Sequence, residues 1–347
     1  MKRYFVCIML LAAWTLTALA QLPQRPNVGN ARIIVLANNL ENFYYNYDES
    51  SRPSYSDDAG RAAKTAKIVQ MMLSSDADIF AFCEVEAKPI TLEYLVQELN
   101  TAAGGNYYAA VSDGINVQTD SYDNAIKSGF VYRIATVQPY SSNYAATNVS
   151  YYKNTMRIQA WEELATGERF TLSMNHFKAK SDDASKQKRI DNATWLLGGL
   201  SNSSKVKDPD ILIMGDLNAQ MAEEAMQMIV EDGYEEQLLR YDESAYSYIY
   251  KGTHELIDHA FANSTMADQI TGAAVWHTNT SASYNQRYSD HDAVLVGLRL
   301  GEDDPIDPSG IDETAAPQPA QKILRQGQLI IIRGGAMYTI TGMEIEN

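Results

Sequence analysis

Apolar and polar positions along this chain follow two periods. Residues 32–37 (R-I-I-V-L-A) read as a strand leading into Asn38 and Asn39. Residues 78–85 (D-I-F-A-F-C-E-V) form a continuous apolar run closed by a carboxylate, the pattern of a central strand buried on both faces. Residues 129–133, 157–164, 170–175, 211–214, 246–250, 256–262 and 293–300 read as further strands. Three groups recur at helical spacing instead: Ala62, Ala66, Val69, Leu73; Leu92, Leu95, Val96, Leu99; and Ile190, Ala193, Leu197, Leu200. A fourth helix is expected over about 221–229. Strands interleaved with helices predict an α/β fold of two packed mixed β-sheets flanked by helices.

The ends of the chain break this pattern. Lys2 and Arg3 precede an apolar run over 5–19, followed by Ala18-Leu19-Ala20 and Gln21. A charged start, a short greasy middle and a small-residue exit predict a signal peptide over residues 1–20. The run falls short of the roughly 20 residues that a spanning helix needs, so no transmembrane span is expected and the protein should be secreted. Residues 27–300 then form the main domain. Residues 301–321, rich in proline and acid, read as a linker. Residues 329–333 and 337–341 flank Gly334-Gly335, so residues 322–347 are expected to form a β-hairpin tail that docks or is recognised by other machinery. Of the two cysteines, Cys7 lies in the leader and Cys83 in an apolar stretch, which leaves the mature chain without an intrachain disulfide.

Charge complicates the choice of substrate. The formal net charge is −16, and loss of Lys2 and Arg3 deepens it by two. Such acidity opposes long-range attraction of a polyanion, although screening over about 8 Å confines the penalty to nearby charges. One local basic island, Lys178, Lys180, Lys186, Lys188 and Arg189, could hold a phosphate backbone or form a solvated helix face.

Four motifs lie in order: E-V at Glu84, N-H-F-K at 175–178, G-D-L-N at 215–218 and S-D-H-D at 289–292. Together they supply carboxylates for a hard cation, amides to orient a substrate, and imidazoles to manage charge. Glu84, closing a buried strand, is the leading metal ligand, because hard cations take oxygen donors and often one or two carboxylates. Asp216 and Asn218 lie two apart, which on an extended backbone points both the same way. One could orient or deprotonate a water while the other donates to a phosphoryl oxygen. Asp258 in L-I-D-H is the candidate partner of His291, and Asp290 reaches toward the metal. His176 adds a second imidazole with Asn175, Lys178 and Lys180 nearby as phosphate contacts. His254, His259 and His277 read as packing or surface residues.

In order and spacing the motifs resemble the endonuclease/exonuclease/phosphatase superfamily, over residues 30 to 300, and within it bacterial extracellular nucleases. N-L-E-N-F at 39–43 looks like its first motif, which implies that Asn39 lies beside the metal. The resemblance implies a DNase I-like fold, a four-layer α/β sandwich, with catalytic roles for His176, Asp216, Asn218, Asp258 and His291, and a metal on Glu84, Asn39 and Asp290. The cofactor implied is magnesium, with manganese or calcium as alternatives. The tail resembles C-terminal tails on exported proteins of Bacteroidetes-type bacteria, which implies export or surface-attachment machinery as a partner. Many relatives carry an arginine followed by prolines where this chain has Arg157-Ile158-Gln159. The reading is a secreted monomeric nuclease acting on extracellular DNA or RNA. Two alternatives stay open: a phosphomonoesterase or phospholipid-headgroup hydrolase (sphingomyelinase or inositol phosphate type), and an inactive secreted binding protein.

Overall fold

The computed structural model describes residues 22–47, 52–115, 125–146, 155–202, 206–283 and 285–301, together with four backbone strands beyond residue 320. The expected signal peptide lies outside the described residues, as does the expected linker except at its ends. Among the described residues no helix is long and apolar enough to cross a membrane.

Two mixed sheets carry the main unit, as the strand pattern predicts. The first contains β1 (Ile33–Phe43), β2 (Ile79–Glu86), β3 (Tyr108–Ala110), β4 (Ile126–Arg133), β14 (Ile270–Trp276) and β15 (Ala293–Leu298) in the order β14-β15-β1-β2-β4-β3. The second contains β5 (Val137–Pro139), β7 (Met156–Glu163), β8 (Arg169–His176), β9 (Ile211–Asp216), β10 (Tyr234–Glu236) and β13 (Asp258–Asn263) in the order β10-β13-β9-β8-β7-β5, with β6 (Tyr144–Ala145) also on β7. In each sheet a central pair, β1 with β2 and β8 with β9, is parallel, while the other ladders are antiparallel.

Side chains alternating along each strand define three apolar layers. Val35, Ala37, Ile79, Ala81, Leu172, Met174, Leu212, Met214, Val294 and Val296 fill the space between the sheets. There Phe130 of the first sheet meets Trp161 of the second edge-on at 5.8 Å. The opposite faces carry the helices. Leu36, Phe80, Phe82 and Leu295 pack with Ile68, Met71 and Met72 of α1 (Asp58–Ser75) and Leu92, Leu95 and Leu99 of α2 (Pro89–Ala103). Ile158, Ile213 and Phe261 pack with Ala193, Leu196 and Leu200 of α3 (Asp183–Leu200) and Met226 and Ile229 of α4 (Glu224–Glu231). Two short helices, α5 (Gln237–Tyr241) and α6 (Ser264–Ala267), flank β13, and β11 (Tyr248–Tyr250) pairs with β12 (Thr253–Glu255).

Two helices bury a different face from the one expected. In α1, Ala62, Ala66 and Leu73 face outward, and the helix buries Lys64, Thr65, Ile68, Val69, Met71, Met72 and Ser75. The larger Ile and Met side chains remove more apolar area from water than two alanines, so they take the sheet side. In α3, Ile190 and Leu197 are half-buried while Arg189, Asn192, Ala193 and Leu196 are buried. Polar Arg189 and Asn192 win because both bond the loop after β8: Arg189 Nη1 donates to Lys178 O and Lys180 O, and Asn192 Oδ1 accepts from Lys178 N.

The second unit, Ser309–Asn347, holds β16 (Gln321–Arg325), β17 (Gln328–Arg333), β18 (Ala336–Thr339) and β19 (Glu344–Ile345) in one antiparallel meander. The expected hairpin corresponds to β17 and β18, and a further strand pairs on either side.

Candidate active site

Register alone brings three site residues into one row. His176 closes β8, Asp216 closes β9 and Asp258 opens β13, and their Cα atoms pair His176 to Asp216 to Asp258 across the sheet. Residues in one row project to the same face. Opposite them, β1 and β2 are both irregular where they reach the site. The β1–β2 ladder shifts register between Asn39 and Phe43, and the β2–β4 ladder between Phe82 and Val85. Glu41, Asn42 and Glu84 adopt left-handed backbone at φ 48°, 56° and 53°. Such conformations cost a non-glycine residue on the order of 1–3 kcal/mol, so the surroundings must hold them. They are held by hydrogen bonds: Asn42 N donates to Glu84 Oε2 at 3.0 Å, and Glu41 N donates to Asn39 Oδ1 at 2.8 Å. The kink turns Glu84 into the space between the sheets.

One amide joins the two sheets. Asn39 Nδ2 donates to Glu84 Oε1 at 3.1 Å and to Asp216 Oδ2 at 3.0 Å. His176 Nε2 lies 3.5 Å from Glu84 Oε1 and 3.8 Å from Asp216 Oδ2. Asp216 is buried, and its Oδ1 accepts from Asn218 N at 2.9 Å. Before it stands Gly215 at φ 128°, where a Cβ would meet Asn175 O at 2.1 Å. Gly215→Ala should therefore cost about 3 kcal/mol or more, since backbone rather than a pliable side chain blocks the methyl. Thermal unfolding should show a Tm drop of roughly 6–12 °C for a domain of this size. An unchanged Tm would contradict the packing of β9 on β8.

His291 completes the cluster. Its Nδ1 lies 2.8 Å from Asp258 Oδ2, which also accepts from Ser247 Oγ at 2.7 Å. Its Nε2 then faces Asp216 Oδ2 at 3.7 Å. Burial drives the His291 pKa down, but the Asp258 and Asp216 carboxylates outweigh it and hold the pKa well above the usual imidazole range. The loop carrying His291 is fixed at several points. Ser289 Oγ donates to Asn39 O at 2.6 Å and accepts from His291 N at 3.1 Å. Asn279 Nδ2 donates to His291 O at 2.7 Å. Asp292, fully buried, takes Asn279 N at 2.8 Å, Thr280 N at 2.9 Å and the His277 ring at 2.7 Å.

Burial raises the Asp216 pKa to about 6, with Asp258 adding to the rise and His291 and His176 opposing it. A carboxylate whose folded pKa exceeds its unfolded value binds its proton more tightly when folded. Its contribution to stability is therefore present at low pH and is lost as pH rises from about 4 through about 6. In chelator, Asp216→Asn should gain on wild type in Tm by a few degrees between pH 4.5 and 7.5, as wild type alone buries the charge. A constant difference across that range would refute the raised pKa.

The residues fit a hard divalent cation. Glu41, Glu84 and Asp290 crowd together closely enough that, after burial, Asp290 and Glu84 both push the Glu41 pKa up. Glu84, Asp290 and the Asn39 amide offer oxygen donors, the chemistry such a cation takes. A second donor set, Asp216, Asp258 and His291, brings three ligand atoms within 4.8 Å of one another and could also bind a metal. There His291 Nδ1 is engaged with Asp258, which leaves Nε2 as the atom that His291 could offer.

Of the sequence-predicted residues, Asn39, Glu84, His176, Asp216, Asp258 and His291 converge. Asp290 stands at the edge, its Oδ1 4.0 Å from His291 Nε2. Asn218 departs from the extended backbone expected of it: the strand ends at Asp216, and Asn218 is left-handed at φ 50°. Its amide donates to Phe177 O at 3.2 Å, closing a turn around the Asp216 carboxylate. Asn175 is not brought into the cluster. It is fully buried, and its amide donates to Met214 O, which ties β8 to β9, and to Ser173 O of its own strand. The basic island also loses a member: Arg189 is buried against Glu223 at 2.6 Å and braces the loop of half-buried Lys178 and exposed Lys180. His259 is buried with Nε2 2.9 Å from Ala219 O, and His254 and His277 stack on either side of Tyr246 at 3.9 and 4.2 Å. Sequence reasoning missed Ser247, Asn279, Ser289 and Asp292, whose work is to hold His291. The S-D-H-D motif contains two of them and was the available signal.

The Endonuclease/Exonuclease/phosphatase family model matches residues 37–291, from the first site strand to His291 itself. Among solved structures, an endonuclease/exonuclease/phosphatase from Bacteroides vulgatus is 14% identical, covering 77% of this chain and 98% of its own, with a TM-score of 0.55. A mannosyl-6-phosphatase from Bacteroides thetaiotaomicron is 17% identical over 77% and 100%, at 0.54. The human Nocturnin catalytic domain with bound sulfate is 16% identical over 81% and 99%, at 0.57. No curated protein sequence matches the chain. With its DNase I-like sandwich and the family model spanning every residue of the cluster but none of the tail, the chain belongs to the Endonuclease/Exonuclease/phosphatase family of phosphoric ester hydrolases.

Proposed function

We propose that the protein is a secreted, magnesium-dependent phosphodiesterase acting on extracellular nucleic acid. The observation that carries the reading is the convergence of Glu84, Asn39 and Asp216 with two imidazoles, one of them paired to a buried carboxylate. Asp216 orients the attacking water and takes its proton, which a carboxylate with a pKa near 6 does better than one near 4. His291, kept protonated by Asp258, donates through Nε2 to a phosphoryl oxygen, and His176 does so from the other side. Asn39 and Asn218 hold Asp216 in one orientation throughout. A divalent cation on Glu84, Asn39 and Asp290 would supply charge neutralisation to the phosphoryl and leaving oxygens. Positioning and fixed electrostatics then carry most of the rate.

The acidity of the chain and the burial of Arg189 favour a second reading, a small phosphate ester or lipid headgroup as substrate. Plasmid DNA incubated with the chain from residue 21, with magnesium or with chelator, separates the two. Magnesium-dependent nicking supports the nuclease. Intact plasmid beside turnover of sphingomyelin, an inositol phosphate or a simple monoester would move the substrate to the second class.

A further inference from the structure

A cleft of about 220 Å³ opens beside the carboxylates, walled by α1 and the loop before Ser289. It is lined by Glu41, Tyr55, Lys64, Lys67, Arg287 and Tyr288 among others. Three cations in one small cleft run against the composition of a chain with net charge −16. Lys64 is the unusual one. It lies on the buried face of α1, 7% exposed, and among the described residues its ammonium has one hydrogen-bond acceptor, Glu41 O at 2.7 Å. An ammonium has three N–H donors, and burying it short of acceptors is costly. Its neighbour one turn on, Lys67, donates to Asn285 O at 2.7 Å and to Arg287 O at 3.2 Å, and so holds the loop that forms the opposite wall. Glu41 ties the cleft to the active site: burial, then Asp290 and Glu84, push its pKa up, while Lys64 and Arg287 pull it down.

We propose that this cleft is a second phosphate subsite, taking a phosphate group of the substrate other than the one attacked. The inference rests on the phosphoric ester hydrolase reading. The oxygens of a phosphate supply the acceptors that Lys64 lacks, and the charges of Lys67 and Arg287 offset the repulsion from Glu41 and the surrounding acids. A larger cleft of about 460 Å³, lined by Glu93, Asn100 and Gly105, shares no residue with the carboxylate cluster and contains no lysine or arginine.

The test compares two esters with the full chain and magnesium: thymidine 5′-(p-nitrophenyl phosphate), and the same ester carrying a 3′-phosphate. Wild type should show kcat/KM on the order of tenfold higher for the second. That ratio should fall toward one in Lys67→Gln and in Arg287→Gln, and recover in Lys67→Arg. Equal kcat/KM for the two esters in wild type overturns the subsite while leaving the hydrolase reading intact. Should neither ester turn over, the nucleic-acid phosphodiesterase reading is at fault, and calorimetry with inorganic pyrophosphate in chelator decides the subsite. Binding to wild type that is lost in the Lys67→Gln, Arg287→Gln double variant supports it, and binding indifferent to those changes, or none, overturns it. A parallel pair, a thymidine trinucleotide and an inositol bisphosphate, tells a nucleic-acid strand from a small phosphorylated molecule by which one shows the charge-dependent gain.

Discussion

Replacing His291 with alanine should lower kcat by a factor on the order of 10²–10⁴ while the protein still folds. The loss is large because His291 is placed for one task. Asp258 holds its Nδ1 at 2.8 Å, leaving Nε2 directed at the Asp216 carboxylate 3.7 Å away, where a phosphoryl oxygen and attacking water would meet. The fold should survive because Asp258 keeps its bond from Ser247 Oγ and because Asn279 holds the His291 backbone carbonyl rather than its ring. Turnover of a phosphodiester beside a thermal melt reads both quantities. The Asp258→Asn, His291→Ala double variant should be little slower than His291→Ala, since the carboxylate acts through the ring. Turnover close to wild type in His291→Ala would remove the residue from the chemistry.

Glu84→Gln tests the other half of the site. A glutamine keeps the size and can keep the bond from Asn42 N, which holds the kinked strand, although its NH2 then replaces the oxygen that accepts from Asn39, whose amide retains Asp216. What it loses is a charge among Glu41, Asp290 and Asp216. Magnesium should raise the Tm of wild type with the logarithm of its concentration above Kd, and the variant should need at least about tenfold more cation for the same rise. Activity should fall by orders of magnitude at limiting cation and partly return at high concentration. Should the cation shift survive in Glu84→Gln but vanish in Asp258→Asn, the metal belongs to the Asp216, Asp258 and His291 group instead.

How much of this was legible beforehand depended on the kind of signal. The strands carrying His176, Asp216 and Asp258 announced themselves through the apolar residues that recur along them and the carboxylate or imidazole at one end. Ile79–Glu86 was legible for the same reason, and the chain order of the motifs pointed to the family. Helix faces were not: Ala66 and Ile68 both count as apolar, and only the competition for space against the sheet decides which turns inward. Polar burial was equally hidden. Nothing local marks Arg189, Asn192 or Asn175 as buried, since each is satisfied by carbonyls or amides brought from another segment. The left-handed residues at Glu41 and Glu84 were invisible too, because neither is glycine and the bonds that hold them cross between strands.

Cys83, the lone thiol of a chain that begins at residue 21, offers a way to time the protein's opening. Cys83 is fully buried between the sheets, next in the chain to Glu84, and burial with nearby Asp216 pushes its pKa well up. A thiol reagent cannot reach it while the two sheets stay together. Its labelling rate in the chain from residue 21 should therefore follow separation of the sheets around the active site rather than fraying at the surface. Substrate analogues or cations that bridge the sheets should slow that labelling, which turns a residue without chemistry of its own into a clock for ligand binding.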